Sequence, residues 1–263
     1  MATAAPTNQF PLFYNRLEPL SSNTHADFKA RPSDSAKFVT KAHAVPITVD
    51  EFVACQRFYP IVFSAGENPV PLVLMGLNEG VNVFLDDDGK LIGESYVPAY
   101  IRRYPFMLAR LRPDAQELSL CFDPTSGLVG AYDEGNALFE DGKPTEATKG
   151  ILKFCEEFEM AAQRTTGFVK DLQEADLLME GEVTLQPTGA EKPFLYRGFQ
   201  MVSDEKLREL RGDQLRKMNQ NGMLSLITAH LFSLALVREI FGKQVAQGKM
   251  PNMPAPAPAT ADA

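Results

Sequence analysis

The side chains with the most specific chemistry lie in one stretch of the chain, GESYVPAYIRRYPFMLARL at residues 93–111. Arginine presents a planar, bidentate set of donors that suits carboxylates and other anions, and tyrosine hydroxyls extend such a site. The binding candidates in this stretch are Tyr100, Arg102, Arg103 and Tyr104. We therefore predict an anion or carboxylate site for a ligand or partner here.

A structural role for the arginine pair is the alternative, in which one arginine joins a helix to the sheet through Glu94 or Glu134. Adjacent residues on a helix point about 100° apart, so Arg102 and Arg103 cannot face the same way. Arg103 shares a helical face with Tyr100. We therefore predict that Arg103 points inward in a structural role, and that Arg102 is the contact for a ligand or partner.

Glu134 and His230 complete the set of candidate binding residues. His230 lies in an apolar segment, where a titratable ring needs a hydrogen-bond partner. It is either a core histidine bonded to a backbone carbonyl or a carboxylate, or part of the binding site. None of the three histidines has metal-ligand spacing to another histidine or a cysteine, and phosphate-loop, dinucleotide and nucleophile-elbow motifs do not occur. We expect no metal and no cofactor, and we assign no catalytic residue.

Composition is typical of a globular protein, with 44% hydrophobic and 23% charged residues in 263. The formal net charge of −8 argues against a nucleic-acid partner, because neutralising phosphates requires a basic surface. The amino terminus lacks a secretory signal pattern, and the three cysteines are isolated, as in reduced cytoplasmic proteins. We expect a cytoplasmic protein with a protein or small-molecule partner. The sequence does not indicate the oligomeric state.

The most membrane-like segment covers residues 218–237. Its continuously apolar part is about fifteen residues long and is interrupted by polar side chains, whereas a spanning helix needs about twenty. We therefore expect a buried helix of a soluble core and no membrane insertion.

The hydrophobic periodicity predicts an α+β fold, with a central antiparallel sheet flanked by helices. A long amphipathic helix is expected near 147–178, with Thr145 as its N-cap, and an apolar C-terminal helix near 223–241. Thr48 and Glu51 form a capping box that begins a short helix. Strands are expected at residues 71–77, 81–85, 117–122, 183–185 and 194–202.

Two local patterns complete the predicted secondary structure. An Asp-Gly turn at residues 86–89 closes a hairpin after the strand at 81–85. Pro98 suits the first turn of a helix, and apolar residues recur at helical spacing as far as Leu111. Pro105 would kink or split that helix.

We predict three parts in the chain. Residues 1–43 form an irregular N-terminal arm, which lies against the body near residues 8–20 and is a mobile loop at 21–35. Residues 44–247 form a single α+β domain, and residues 248–263 form a disordered tail rich in proline and alanine.

Three motifs together resemble the SapC family of bacterial proteins over about residues 40–242. They are ESYVPAYIRRYPF at 94–106, EGNALF at 134–139 with DGKPT at 141–145, and AHLFSL at 229–234. SapC-like proteins are associated by name with surface layers, and some are labelled peptide-transport permeases. Their genes tend to lie near TonB-dependent receptors and flavin-dependent halogenase-like enzymes.

The resemblance implies a non-enzymatic soluble binding or accessory protein, linked to TonB-dependent uptake or to modification of a small molecule. One alternative is an enzyme whose pocket lies between the Tyr100–Tyr104 helix and the C-terminal helix. The other is a structural protein associated with a surface layer.

Overall fold

The computed structural model describes residues 10–112, 117–186 and 193–250, and it confirms the predicted α+β class. Most of the predicted tail, residues 251–263, lies outside the described residues. The strands are β1 Glu18–Pro19, β2 Lys29–Ala30, β3 Ala44–Pro46, β4 Ile61–Ser64, β5 Pro71–Leu74, β6 Phe106–Ala109, β7 Ser119–Phe122, β8 Val129–Gly130, β9 Asn136–Ala137, β10 Phe139–Glu140, β11 Lys143–Pro144, β12 Leu178–Leu185 and β13 Phe194–Val202.

The helices differ greatly in length, and in the described residues four short 3-10 turns supplement them. The helices are α1 Phe52–Cys55, α2 Ala99–Arg102, α3 Glu146–Glu174, α4 Asp204–Arg208, α5 Gly212–Gln220, α6 Met223–Ser233 and α7 Val237–Ala246. The 3-10 turns are Lys37–Val39, Val49–Glu51, Pro124–Ser126 and Leu234–Leu236.

The main sheet has five antiparallel strands in the order β12-β13-β4-β5-β3. Smaller sheets have the orders β1-β7-β6 and β8-β2-β9, and β10 pairs with β11. The segment before residue 44 therefore supplies β1 and β2 to the smaller sheets, and it buries Tyr14, His25 and Val39. Residues 21–35, predicted as a mobile loop, include β2 and the buried His25.

The long helix α3 connects two hydrophobic clusters. Its N-cap is Thr145 as predicted, because the Thr145 hydroxyl accepts a hydrogen bond from the Thr148 amide. Near its start, Cys155 packs with Phe106, Phe122 and other residues of one cluster. Near its end, Phe168, Val169 and Leu172 belong to the larger cluster on the main sheet. One amphipathic helix thus joins the smaller sheets to the core.

The predicted helix over residues 98–111 is wrong beyond its first turn. The helix α2 ends at Arg102, and strand β6 begins at Phe106. Pro105 lacks an amide hydrogen and disfavours helical geometry in the residue before it. Within β6, Phe106 and Leu108 are buried, whereas Met107 and Ala109 are half-buried, which is the two-residue period of a strand.

The predicted strand at residues 81–85 is also wrong, although the turn that follows it forms. Pairing here is limited to one isolated bridge between Leu85 and Leu91, with the Asp86 amide donating to the Lys90 carbonyl at 2.9 Å. Where strand pairing was predicted, the side chain of Asn82 forms hydrogen bonds with backbone groups. Its amide donates to the Val39 carbonyl, and its side-chain oxygen accepts from the Phe84 amide.

The helix α6 is locked to the main sheet by His230, which is completely buried. The Val202 amide on β13 donates to His230 Nε2 at 3.0 Å, so the proton lies on Nδ1, which donates to the Ile61 carbonyl on β4 at 2.8 Å. Ser233 Oγ accepts from the Ile61 amide at 2.8 Å. Burial lowers the pKa of His230 to about 4, although the bond to Ile61 opposes this.

The helical run Met223–Ala246 comprises α6, a 3-10 turn and α7. It extends beyond the continuously apolar part of the sequence. Its 24 residues are long and apolar enough, by length and composition, to cross a membrane. A core helix of a soluble protein meets the same criterion, and 39% of the apolar window is buried. The finding is therefore weak evidence for a membrane span.

We predict an acid-dependent loss of stability that originates at His230. Its folded pKa of about 4 lies below the ordinary value of 6.5, so between these pH values the unfolded chain binds a proton that the folded chain does not. The free energy of unfolding should fall as the pH drops through this window, by about 3 kcal/mol at its lower end. Urea unfolding at pH 7.0, 5.5 and 4.5 measures it.

The variant His230→Gln is the control, because glutamine keeps one donor and one acceptor without a titrating group. It should be less stable at pH 7 but should lack the histidine part of the acid slope. Identical slopes for the two proteins would contradict the assignment.

Candidate functional site

A cavity of about 500 Å³ lies beside the turn that carries the arginine pair. Three segments form most of its wall: residues 31–38 of the N-terminal segment, the turn at 85–91, and residues 97–106. The wall is mostly apolar. The lining residues include Arg31, Asp34, Tyr59, Gly89, Arg102 and Tyr104.

Glu51 holds this wall in place. Its carboxylate, which is 5% exposed, accepts from the Thr48 amide at 2.9 Å, which is the predicted capping box. The same carboxylate reaches across to accept from the Ala99 amide at 2.6 Å and from the Tyr96 hydroxyl at 3.1 Å. One buried side chain therefore fixes both α1 and the start of α2.

Arg102 projects outward from α2 and is exposed at the edge of the cavity. Its Nε donates to the Val97 carbonyl at 3.0 Å, and its Nη2 donates to the Tyr96 hydroxyl at 3.1 Å. Within the described part of the chain, no carboxylate lies within ion-pair distance of Arg102. Its charge is therefore not neutralised locally, and three of its five N–H groups remain for a ligand.

The family model described as SapC matches residues 20–240. The chain belongs to the SapC family. Searches of the curated proteins and of the solved structures found no match. The family match includes the whole Arg102 turn and the α6 motif around His230, so both features described above lie inside the SapC region.

Arg103 of this SapC chain points inward, the orientation that its spacing predicts, and is 6% exposed. Its guanidinium packs against the rings of Tyr100 and Phe158, at 4.4 and 4.1 Å from their centroids. Its ion-pair partner is Glu159 on α3, with Nη1 and Oε1 3.6 Å apart, rather than Glu94 or Glu134. Burial raises the pKa of Glu159, and Arg103 opposes that rise.

The two candidate tyrosines have different surroundings. Tyr100 is buried, and its hydroxyl donates to the Leu12 carbonyl at 3.2 Å. Tyr104 is half-buried, lines the cavity, and packs on Phe38 with ring centroids 4.1 Å apart. Burial, with the nearby charge of Asp123, raises the pKa of Tyr104 to about 12, so it keeps its proton at neutral pH.

The other two candidates lie away from this cavity. Glu134 is exposed in the loop before β9, and His230 bonds to backbone atoms of the main sheet as described above. The SapC structure therefore brings Arg102 and Tyr104 together at the cavity wall and places neither Glu134 nor His230 there. No group of three or more potential metal ligands occurs in the described residues.

The N-terminal segment also forms part of the site, which its sequence did not predict. Arg31 lines the cavity and stacks on the Tyr132 ring at 3.6 Å. The residues that follow Arg31 contact the turn at residues 86–91, and we call this contact the clasp. The Ala36 amide donates to the Gly89 carbonyl at 2.8 Å, and Asp34 pairs with Lys90. The sequence does contain one indication of this contact: a run of acidic residues precedes Gly89, and basic residues occur at positions 37 and 90.

We predict that Gly89 is required for this clasp. It has φ +80°, and a Cβ atom there would lie 2.5 Å from the Lys37 amide nitrogen. Gly93 is a matched control, because it also has φ +80° but a Cβ there meets nothing within 4 Å. Both alanine variants carry the left-handed strain of about 1 to 2 kcal/mol. In chemical unfolding, Gly89→Ala should cost at least about 1 kcal/mol more than Gly93→Ala; equal losses would count against the clasp.

We also predict that the two arginines respond differently to lysine. Arg103→Lys removes the planar guanidinium that packs against two aromatic rings, which should cost about 2 kcal/mol, or about 4 to 8 °C in melting temperature for a chain of this size. Arg102→Lys should change stability by less than about 0.5 kcal/mol, because the side chain is exposed. Melting curves of both variants measure this, and equal destabilisation would disprove the division of roles.

Proposed function

We propose that this SapC-family chain is a non-enzymatic binding protein for a small molecule that combines an apolar body with one anionic group. The observation that carries the proposal is the guanidinium of Arg102, which lacks a carboxylate partner in the described residues and lies at the edge of a mostly apolar cavity. Arg31 adds a second cation at the wall, whereas Asp34 is already paired with Lys90. The apolar wall favours the ligand's body, and the arginines favour its anionic group.

The size of the cavity limits the ligand. Pockets of 300 to 1,000 Å³ hold drug-sized molecules, and this one measures about 500 Å³. At about 30 Å³ for each water-sized group, it holds on the order of 15 such groups. A linear or cyclic monoacid with ten to fifteen non-hydrogen atoms, a range that follows roughly from that volume, would fill it.

The polar groups in the wall support binding rather than acid-base chemistry. Burial raises the pKa of Tyr59 to about 12, as it does that of Tyr104. Both phenols are therefore protonated at neutral pH and serve as hydrogen-bonding groups, whereas a general acid or base works best with a pKa near the operating pH. We infer a role in carrying or presenting a small molecule, which agrees with the accessory role that the family resemblance implies.

Calorimetric titration with dodecanoate, kept below its micelle concentration, tests this function, with dodecanol as the neutral comparison. Dodecanoate should bind at least tenfold more tightly than dodecanol. Arg102→Gln should weaken dodecanoate binding by about 10- to 100-fold, because a charge-assisted hydrogen bond contributes about 1.5 to 3 kcal/mol.

Arg57→Gln is the matched control, since Arg57 is exposed on the surface and does not line the cavity. It removes the same formal charge and should leave the affinity unchanged. No binding of dodecanoate, or equal weakening by the two variants, would rule out the proposed site.

A further inference from the structure

A second cavity of about 340 Å³ lies next to the first, on the α3 side of Arg102. The two cavities share Arg102, Phe106 and Ile151 in their walls, so they are neighbouring compartments around one arginine. The remaining lining residues of the second cavity are Ala30, Arg103, Asn136, Ala147, Gly150, Phe154 and Cys155.

The charged side chains in the wall of the second cavity are both arginines. Arg102 and Arg103 both line it, and no acidic side chain among the described residues does, whereas Asp34 lines the first cavity. Burial raises the pKa of the Cys155 thiol to about 11, so this group is uncharged at neutral pH. Glu159, which is not part of this wall, pairs with Arg103, so the charge left unneutralised in this space is that of Arg102, and it favours an anion.

Arg103 also has unused hydrogen-bonding capacity. Its Nε is buried and has no hydrogen-bond partner in the described part of the chain. The Arg103–Glu159 contact of 3.6 Å is longer than a hydrogen bond, so Glu159 balances the charge of Arg103 without satisfying its Nε. A buried donor without an acceptor carries a free-energy cost. An anionic oxygen in this cavity would remove that cost.

Two of the sequence motifs meet in this cavity. The arginine pair comes from the stretch at residues 94–106, and Asn136 comes from the stretch at 134–139. Asn136 lies on β9, which pairs with β2 next to Arg31, and its side-chain amide is a further potential donor. The motif at residues 134–139 contributes nothing to the wall of the first cavity, but it supplies Asn136 to the wall of the second.

We propose that the second cavity binds the carboxylate of the ligand, between Arg102 and Arg103, while the apolar body of the same molecule occupies the first cavity. This inference rests on the proposed binding function and specifies its ligand as an amphipathic monocarboxylate. Arg102, common to both compartments, marks the position where the acid group joins the apolar body.

Gly150 offers a way to block the second cavity alone. It lies in α3, lines the second cavity but not the first, and a Cβ there would meet nothing within 4 Å. Because Gly150 lines this cavity, we expect a larger side chain at this position to occupy part of the space proposed for the carboxylate. Gly167 is a matched control on the same helix, since it is also free of contacts at Cβ and lines neither cavity.

The test measures the affinity of the full chain for dodecanoate and dodecanol in Gly150→Leu, Gly150→Met and Gly167→Leu. Both positions gain helix propensity, so all three variants should melt at or above the wild-type temperature. Gly150→Leu and Gly150→Met should weaken dodecanoate binding at least tenfold and change dodecanol binding less than twofold. Gly167→Leu should change neither.

The outcomes separate the two proposals. If dodecanoate binds the wild type and Arg102→Gln weakens it, but the Gly150 variants do not, the carboxylate lies in the first cavity, and this inference is overturned while the binding function stands. Equal weakening of dodecanol by the Gly150 variants also overturns it, because the blocked space would then hold the apolar body. If the wild type binds neither compound, both proposals fail.

Discussion

The buried carboxylate of Glu51 is the interaction on which the candidate site depends. Removing an ionised carboxylate from water costs several kcal/mol, and the cost is offset only when hydrogen-bond donors surround the group. Here the donors come from two places in the chain: Thr48 before α1, and Tyr96 and Ala99 at the entrance to α2. The capping box of a short helix is therefore also the anchor of the arginine turn.

This anchor determines the environment of Arg102. The Tyr96 hydroxyl donates to Glu51 and accepts from Arg102, so the carboxylate, the phenol and the guanidinium form one chain of hydrogen bonds. Such chains orient each member through its neighbour. This chain positions Arg102, but among the described residues no carboxylate contacts its guanidinium. Its remaining donors are therefore available to a molecule that enters the cavities.

Local features of the structure were predictable from the sequence, whereas contacts between distant segments were not. Thr145 and the stripe of α3 were identified because caps and helical periods involve residues within a few positions of each other. Strand β6 was missed because Leu108 fits a helical period from Tyr104 as well as the alternation of a strand. Strand β4 was missed because Ile61, Val62 and Phe63 are all buried, so a strand covered on both faces shows no alternation.

The same distinction between local features and distant contacts applies to the candidate site. The arginine pair and its opposite orientations follow from residue type and helical geometry, but the partner of Arg103 does not, because Glu159 comes from α3 and meets Arg103 only through tertiary packing. The wall formed by residues 31–38 was missed for a related reason. It is held to the turn near Gly89 mainly by backbone hydrogen bonds and exposed ion pairs, which leave no periodic pattern in the sequence.

The charge distribution favours a monoanion over a polyanion as the ligand. The chain carries a formal net charge of −8, yet two arginines line a compartment with no acidic side chain among the described residues. At physiological ionic strength, charges further than about 8 Å apart are largely screened. A small acid inside the cavity therefore interacts mainly with the nearby charges, which are the two guanidinium groups and the Glu159 carboxylate paired with Arg103. An extended polyanion such as a nucleic acid would also contact the acidic surface beyond that distance, so local attraction would be opposed along most of its length.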